Sequence, residues 1–365
     1  MVMNIKLRVA RIVGVLVMAA TFAGCAAAPP RPETRFFWPP LPERPRIEWL
    51  GAYGSQNDFP KTGAEKFLAS IVGEEETVSL SKPIAIRSDG RGKVYVGDPG
   101  APGVYVFDFE KNVMRPFGKA EAEARLEQPV GIAIDDTGRI YVSDTKKNAL
   151  LVFTQDELPL GLISLAGVAE KAGDVTYDRV GKRLLVVDLR GHKILILSLE
   201  GKLLSSFGAR GTQPGEFNFP TAVAVNSKGE IIVTDAMNAR IQIFSGEGKF
   251  LRMFGERGDG PGTLQLIKGV AVDSDDNIYV TDGKGHKVEV FSTRGDYLIT
   301  VGGAYSAITT GKTAPGGFVI PQGIDIDKNN MIYVVDQLNR RFQSFRYISD
   351  SYLKANPIPG YTPSP

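Results

Sequence analysis

Short apolar runs alternating with polar turns fill most of this chain, and six of the runs end in an aspartate. Nine residues after each aspartate stands a large apolar residue. The pairs are Asp98/Phe107, Asp144/Phe153, Asp188/Leu197, Asp235/Phe244, Asp282/Phe291 and Asp336/Phe345. Successive aspartates are 46, 44, 47, 47 and 54 residues apart, a period that belongs to repeat arrays. The clearest copies are PVGIAIDDTGRIYVSD (Pro129 to Asp144), PTAVAVNSKGEIIVTD (Pro220 to Asp235), KGVAVDSDDNIYVTD (Lys268 to Asp282) and PQGIDIDKNNMIYVVD (Pro321 to Asp336). Each opens with small and β-branched residues that suit a strand, turns, and enters a second strand.

The turn carries Gly138, Gly229, Asp276 or Asn330 six residues before the aspartate, residue types that tolerate positive φ in a tight hairpin. Pro83, Pro129, Pro220 and Pro321 stand fifteen residues before it. Lacking an amide donor, proline fits the first position of a strand. A third strand follows (Arg240 to Phe244, Lys287 to Phe291), and a fourth in the best copies (KFLRMFG, Lys249 to Gly255; KLLSSFG, Lys202 to Gly208). Four antiparallel strands repeated six times predict an all-β fold, a six-bladed β-propeller.

NARIQIF (Asn238 to Phe244), GHKVEVF (Gly285 to Phe291) and the linkers FGARGTQPGEFNFP (Phe207 to Pro220) and FGERGDGPGTLQL (Phe254 to Leu266) resemble the NHL repeat family of six-bladed propellers. The resemblance covers Arg46 to Tyr347 and implies the fold; it is much less specific for function, because one architecture serves binding platforms and lyases. RIEWLGAYG (Arg46 to Gly54) reads as a fourth strand that precedes the first repeat, while the last repeat lacks one. The amino-terminal strand is therefore expected to complete the last blade and close the ring.

The first residues read differently. Lys6, Arg8 and Arg11 precede an apolar run from Ile12 to Ala23, then Gly24 and Cys25, the layout of a secretory signal peptide. Phe22-Ala23-Gly24-Cys25 resembles a bacterial lipoprotein box, which implies a lipid on Cys25, the only cysteine. Ala26 after it implies passage to the outer membrane, facing the periplasm or the surface. The expected organisation is a signal peptide over 1–24, a proline-rich tether over 25–45 and a propeller over 46–348. A short helical insertion is expected at 61–77 and a flexible tail at 349–365. Phe36, Phe37 and Trp38, in the tether, are expected to pack on the protein's own surface. Without the leader the chain has 40 basic and 41 acidic groups, a balance that argues against nucleic-acid binding.

Candidate chemistry is sparse. The NHL-like lyases use histidines, and this chain has two, His192 and His286, each four residues after a repeat aspartate. A catalytic zinc site usually takes three protein ligands, so they are weak metal candidates and no cofactor is expected. Eleven residues before the aspartates, most copies carry alanine (Ala133, Ala224, Ala271), whereas Tyr177 and Asp325 depart from it. With Asp178 they form the candidate channel ligand site. The six aspartates themselves are expected to fix the turns that follow, with Lys193, Arg240, Lys287 and Arg341 as ion-pair partners. The longest blade connection, Gly302 to Phe318, with Tyr305, Lys312 and Phe318, is the candidate partner surface. The expected function is a lipid-anchored envelope module that binds or scaffolds a protein partner; the alternative is a propeller lyase or hydrolase with a metal or small ligand in its channel.

Overall fold

The structure, a computed structural model, describes residues 34–61, 78–118 and 125–362. Cys25, the leader and residues 62–77 of the expected helical insertion lie outside the described residues. The chain divides into two units, Met1–Arg35 and Phe36–Pro365, and the propeller occupies the second. Five four-stranded antiparallel sheets follow the repeats: blade 1 begins at Ala85–Ser88, blade 2 at Pro129–Ile134, blade 3 at Ala172–Asp178, blade 4 at Pro220–Val225 and blade 5 at Ile267–Val272. Blade 6 holds Pro321–Ile326, Met331–Asp336 and Arg341–Tyr347, and takes its fourth strand from the other end of the chain, Ile47–Tyr53. That strand pairs from Ile47 against Tyr347 to Tyr53 against Phe342, so the amino-terminal strand closes the ring.

The residue nine places after each aspartate lies at or near the end of the third strand and packs into the seam between blades. Phe107, Phe153, Leu197, Phe244, Phe291 and Phe345 are all buried, each burial stabilising by about 1.5–3 kcal/mol. Blade by blade, such residues join continuous clusters with the neighbouring sheet, as when Ile241 and Ile243 of blade 4 pack with Ile278 and Val280 of blade 5.

Two boundaries differ from expectation. Phe36–Trp38, placed in the tether, is a fifth strand of blade 6, paired with Ile47–Trp49. The carboxyl-terminal segment expected to be flexible contains a helix, Asp350–Ala355, capped by the Ser349 hydroxyl. Beyond it Ile358 is buried with Phe37 and Ile348, and Leu41, Tyr352, Leu353 and Tyr361 pack around them. The two ends are each too short to bury an apolar face alone; together they build a small core. Among the described residues no helix is long and apolar enough to cross a membrane.

Candidate functional site

The inner strands of the six blades converge on a central channel. Each repeat aspartate is fully buried at the rim where the blade linkers arrive. Asp98 accepts the amides of Ser81 and Lys82 from the incoming linker and those of Gly100 and Ala101 from the turn that follows. Asp144 does the same with Glu127, Gln128, Lys146 and Lys147. One carboxylate thus ties a turn to the linker that begins the same blade. Arg240 and Arg341 pair with Asp235 and Asp336 at 2.7 and 2.8 Å, and Lys193 approaches Asp188 to 3.9 Å. Lys287 departs from that pattern and pairs with Glu289. Gln242 and Gln343, the counterparts of Glu289, donate to their aspartates; a carboxylate has no proton to donate and draws the lysine away instead.

The two histidines sit in matching turns of blades 3 and 5, with φ of 51° and 55°. Nδ1 of His192 accepts the amide of Phe219, and Nδ1 of His286 that of Ile320, both at 3.1 Å. Phe219 and Ile320 themselves hold positive φ just before the prolines that open blades 4 and 6. Both rings therefore pin strained linker ends. Among the described residues no group of three His, Cys, Asp or Glu side chains is arranged to hold a metal.

At the opposite rim, where the first two strands of each blade meet in hairpins, the channel widens into a cavity of about 520 Å³. Charged groups crowd its mouth: Arg91, Arg179 and Lys328 against Asp89, Asp135, Asp136 and Asp327. Asp136 takes Lys182 at 2.5 Å, Arg179 at 3.2 Å and the Tyr177 hydroxyl at 3.0 Å. The Lys182 bond, foremost, holds its carboxyl below the usual range, while burial raises that of Asp327.

Tyr177 and Asp325 both line this cavity, and Asp178 does not. Tyr177 pairs with Leu184 and Thr176 with Leu185, so Thr176 occupies the place held by Ala133, opposite Tyr141. The blade 3 hairpin is one residue longer than its counterparts, which shifts any count made back from Asp188. Asp178 pairs with Arg183 at 2.8 Å and accepts the amides of Val180 and Gly181, shaping that hairpin. Asp325 is already satisfied: Oδ1 accepts Arg87 at 2.8 Å and Oδ2 the amide of Ser88 at 2.7 Å. Arg87 also donates to the carbonyl of Ile132 at 2.8 Å, so one side chain on blade 1 links its two neighbouring blades, 6 and 2.

Sequence reasoning missed Arg87, although its signal was present: it stands eleven residues before Asp98, the same offset as Asp325 before Asp336.

The Gly302–Phe318 connection is less free than expected. Phe318 is fully buried against Phe345, because its ring fills the seam between blades 5 and 6. Tyr305 is half-buried, its carbonyl accepting Asn339; Lys312 is exposed. Arg341 reaches the carbonyl of Gly317, just as Arg240 reaches those of Thr212, Gln213 and Glu216 in its own linker. These arginines turn the linkers into parts of the wall.

A family described as 6-bladed beta-propeller matches residues 222–308, and the NHL repeat matches residues 126–153. A protein of unknown function from Bacteroides thetaiotaomicron superposes with a TM-score of 0.59 at 15% identity, covering 82% of this chain and 75% of that one. A streptogramin B lyase gives 0.55 at 14% identity, with 74% and 95% covered. An auxiliary nutrient binding protein from Bacteroides thetaiotaomicron gives 0.55 at 11%, with 74% and 70% covered. A search of curated proteins found no match. At these identities the likeness concerns the fold, and fold, repeat and register agree: the chain is a six-bladed β-propeller whose residues 126–153 match the NHL repeat.

Proposed function

We propose that this protein is an exported, lipid-anchored propeller of the bacterial envelope that works as a binding module, holding a charged segment of an envelope partner in the hairpin-face cavity. The observation that carries this reading is the cavity itself. Its mouth presents three cations and four carboxylates on the hairpins, a surface suited to a polar partner that carries both signs of charge. The linker face, with Phe318 buried and the connections wrapped around Arg240 and Arg341, offers less free surface. A propeller lyase is the weaker alternative, since both histidine rings already serve as acceptors for backbone amides at the linker rim.

Affinity capture from solubilised envelopes tests the binding reading. The tagged wild-type chain should retain a partner that the double variant Arg179→Glu, Lys328→Glu loses. Equal capture by both would move the interface elsewhere, and capture of nothing by either would end the binding proposal. For the anchor, labelled palmitate should enter the wild-type chain in cells and not Cys25→Ala; equal labelling of the two would refute it.

A further inference from the structure

Past Arg87, toward the linker face, the channel opens into a second cavity of about 200 Å³. Its walls mix apolar side chains, Ile84, Ile132, Leu189 and Ile324, with the polar Arg87, Thr221 and Gln322. Blades 3 and 5 each add one ionisable group, Asp174 and Lys268. In strand register Asp174 stands where blades 2, 5 and 6 carry Gly131, Gly269 and Gly323, and Lys268 where blades 2, 4 and 6 carry Val130, Thr221 and Gln322. Neither group is needed by the repeat.

Neither group makes a salt bridge, although the Arg87 charge on the same cavity acts on Asp174. Lys268 has no hydrogen bond or salt bridge among the described residues, and burial holds its ammonium below the usual value with no neighbouring charge to offset the loss of water. Asp174 accepts the amide of Val223 at 3.2 Å and makes no salt bridge; burial pushes its carboxyl up to about 6. Both are half-buried, and the partial loss of water costs stability unless something else satisfies them. The two sit on non-adjacent blades of a rigid ring and do not pair with each other. A molecule carrying both charges would satisfy both.

We propose that this cavity binds a small zwitterion of the amino-acid type, its ammonium taken by Asp174, its carboxylate by Lys268 and its side chain by the apolar wall. The site lies at the mouth opposite the hairpin-face cavity and stands or falls independently of it.

Titration calorimetry on the full chain in detergent tests this with alanine, acetate, methylamine and inorganic phosphate as separate probes. Alanine should saturate one site per chain, with acetate, methylamine and phosphate at least tenfold weaker. Asp174→Asn and Lys268→Met should each weaken alanine at least tenfold while melting no lower than the wild type, since each removes a charge that makes no salt bridge and loses water on folding. If Lys268→Met fails to fold, Lys268→Gln takes its place. Absence of alanine binding, acetate or phosphate binding as tight as alanine, or unchanged affinity in the folded variants would each overturn the proposal.

Discussion

At the residue scale, the repeat aspartates do the work of several hydrogen-bond partners at once. Asp235 accepts Asn218, Asn238, Arg240 and Gln242. Replacing it by alanine leaves a buried guanidinium unpaired, so Asp235→Ala should lower stability by about 3–5 kcal/mol in denaturant titrations. A loss below about 1 kcal/mol would contradict that role. Spacing and turn chemistry identified these residues in the sequence. Lys287 leaves the pattern for a local reason, the acidic Glu289 two residues on, and the Arg87–Asp325 pair joins residues 238 positions apart, which no local pattern can reveal.

Ring closure belongs to the element scale. Deleting residues 46–54 removes a full strand of blade 6, including Trp49, whose indole donates to Gln343 at 2.9 Å. Urea unfolding of the truncated chain should show cooperative loss of the whole ring; an unchanged midpoint would refute closure by this strand. The neighbouring terminal core is smaller. Ile358→Ala should cost about 2 kcal/mol and speed proteolysis near the carboxyl end, leaving the blades intact. The closing strand was legible because it has the repeat's own pattern. The terminal core was not, because Phe37 and Ile358 acquire a partner only when the ends of the chain meet. The same limit explains Tyr177: an added residue in the blade 3 hairpin leaves the pattern of Asp188 unchanged but moves every residue counted back from it.

On the scale of the whole ring, Asp174 links stability to pH. Burial pushes its carboxyl from the ordinary 3.8 up to about 6 in the folded protein, with Arg87 opposing the shift and Asp325 adding to it. Between those values the unfolded chain releases a proton that the folded one keeps, so this contribution to stability is present below pH 4 and is lost as pH rises through 6. Asp174→Asn should therefore match the wild type near pH 3.5 and exceed it by about 2–3 kcal/mol at pH 7.5, as read from melting curves. An advantage at pH 3.5 equal to that at pH 7.5 would assign the gain to something other than this proton.

The repeat, its four strands, its pins and the strand that closes the ring were all written in the sequence, because each depends on periods and turns within some 50 residues or on a segment that copies them. What the tertiary structure decided is where the six inner strands meet. Which side chains line the channel, which charges there find partners and which remain without one depend on residues brought together from all six blades. A repeat period defines the blade; only the closed ring defines its centre.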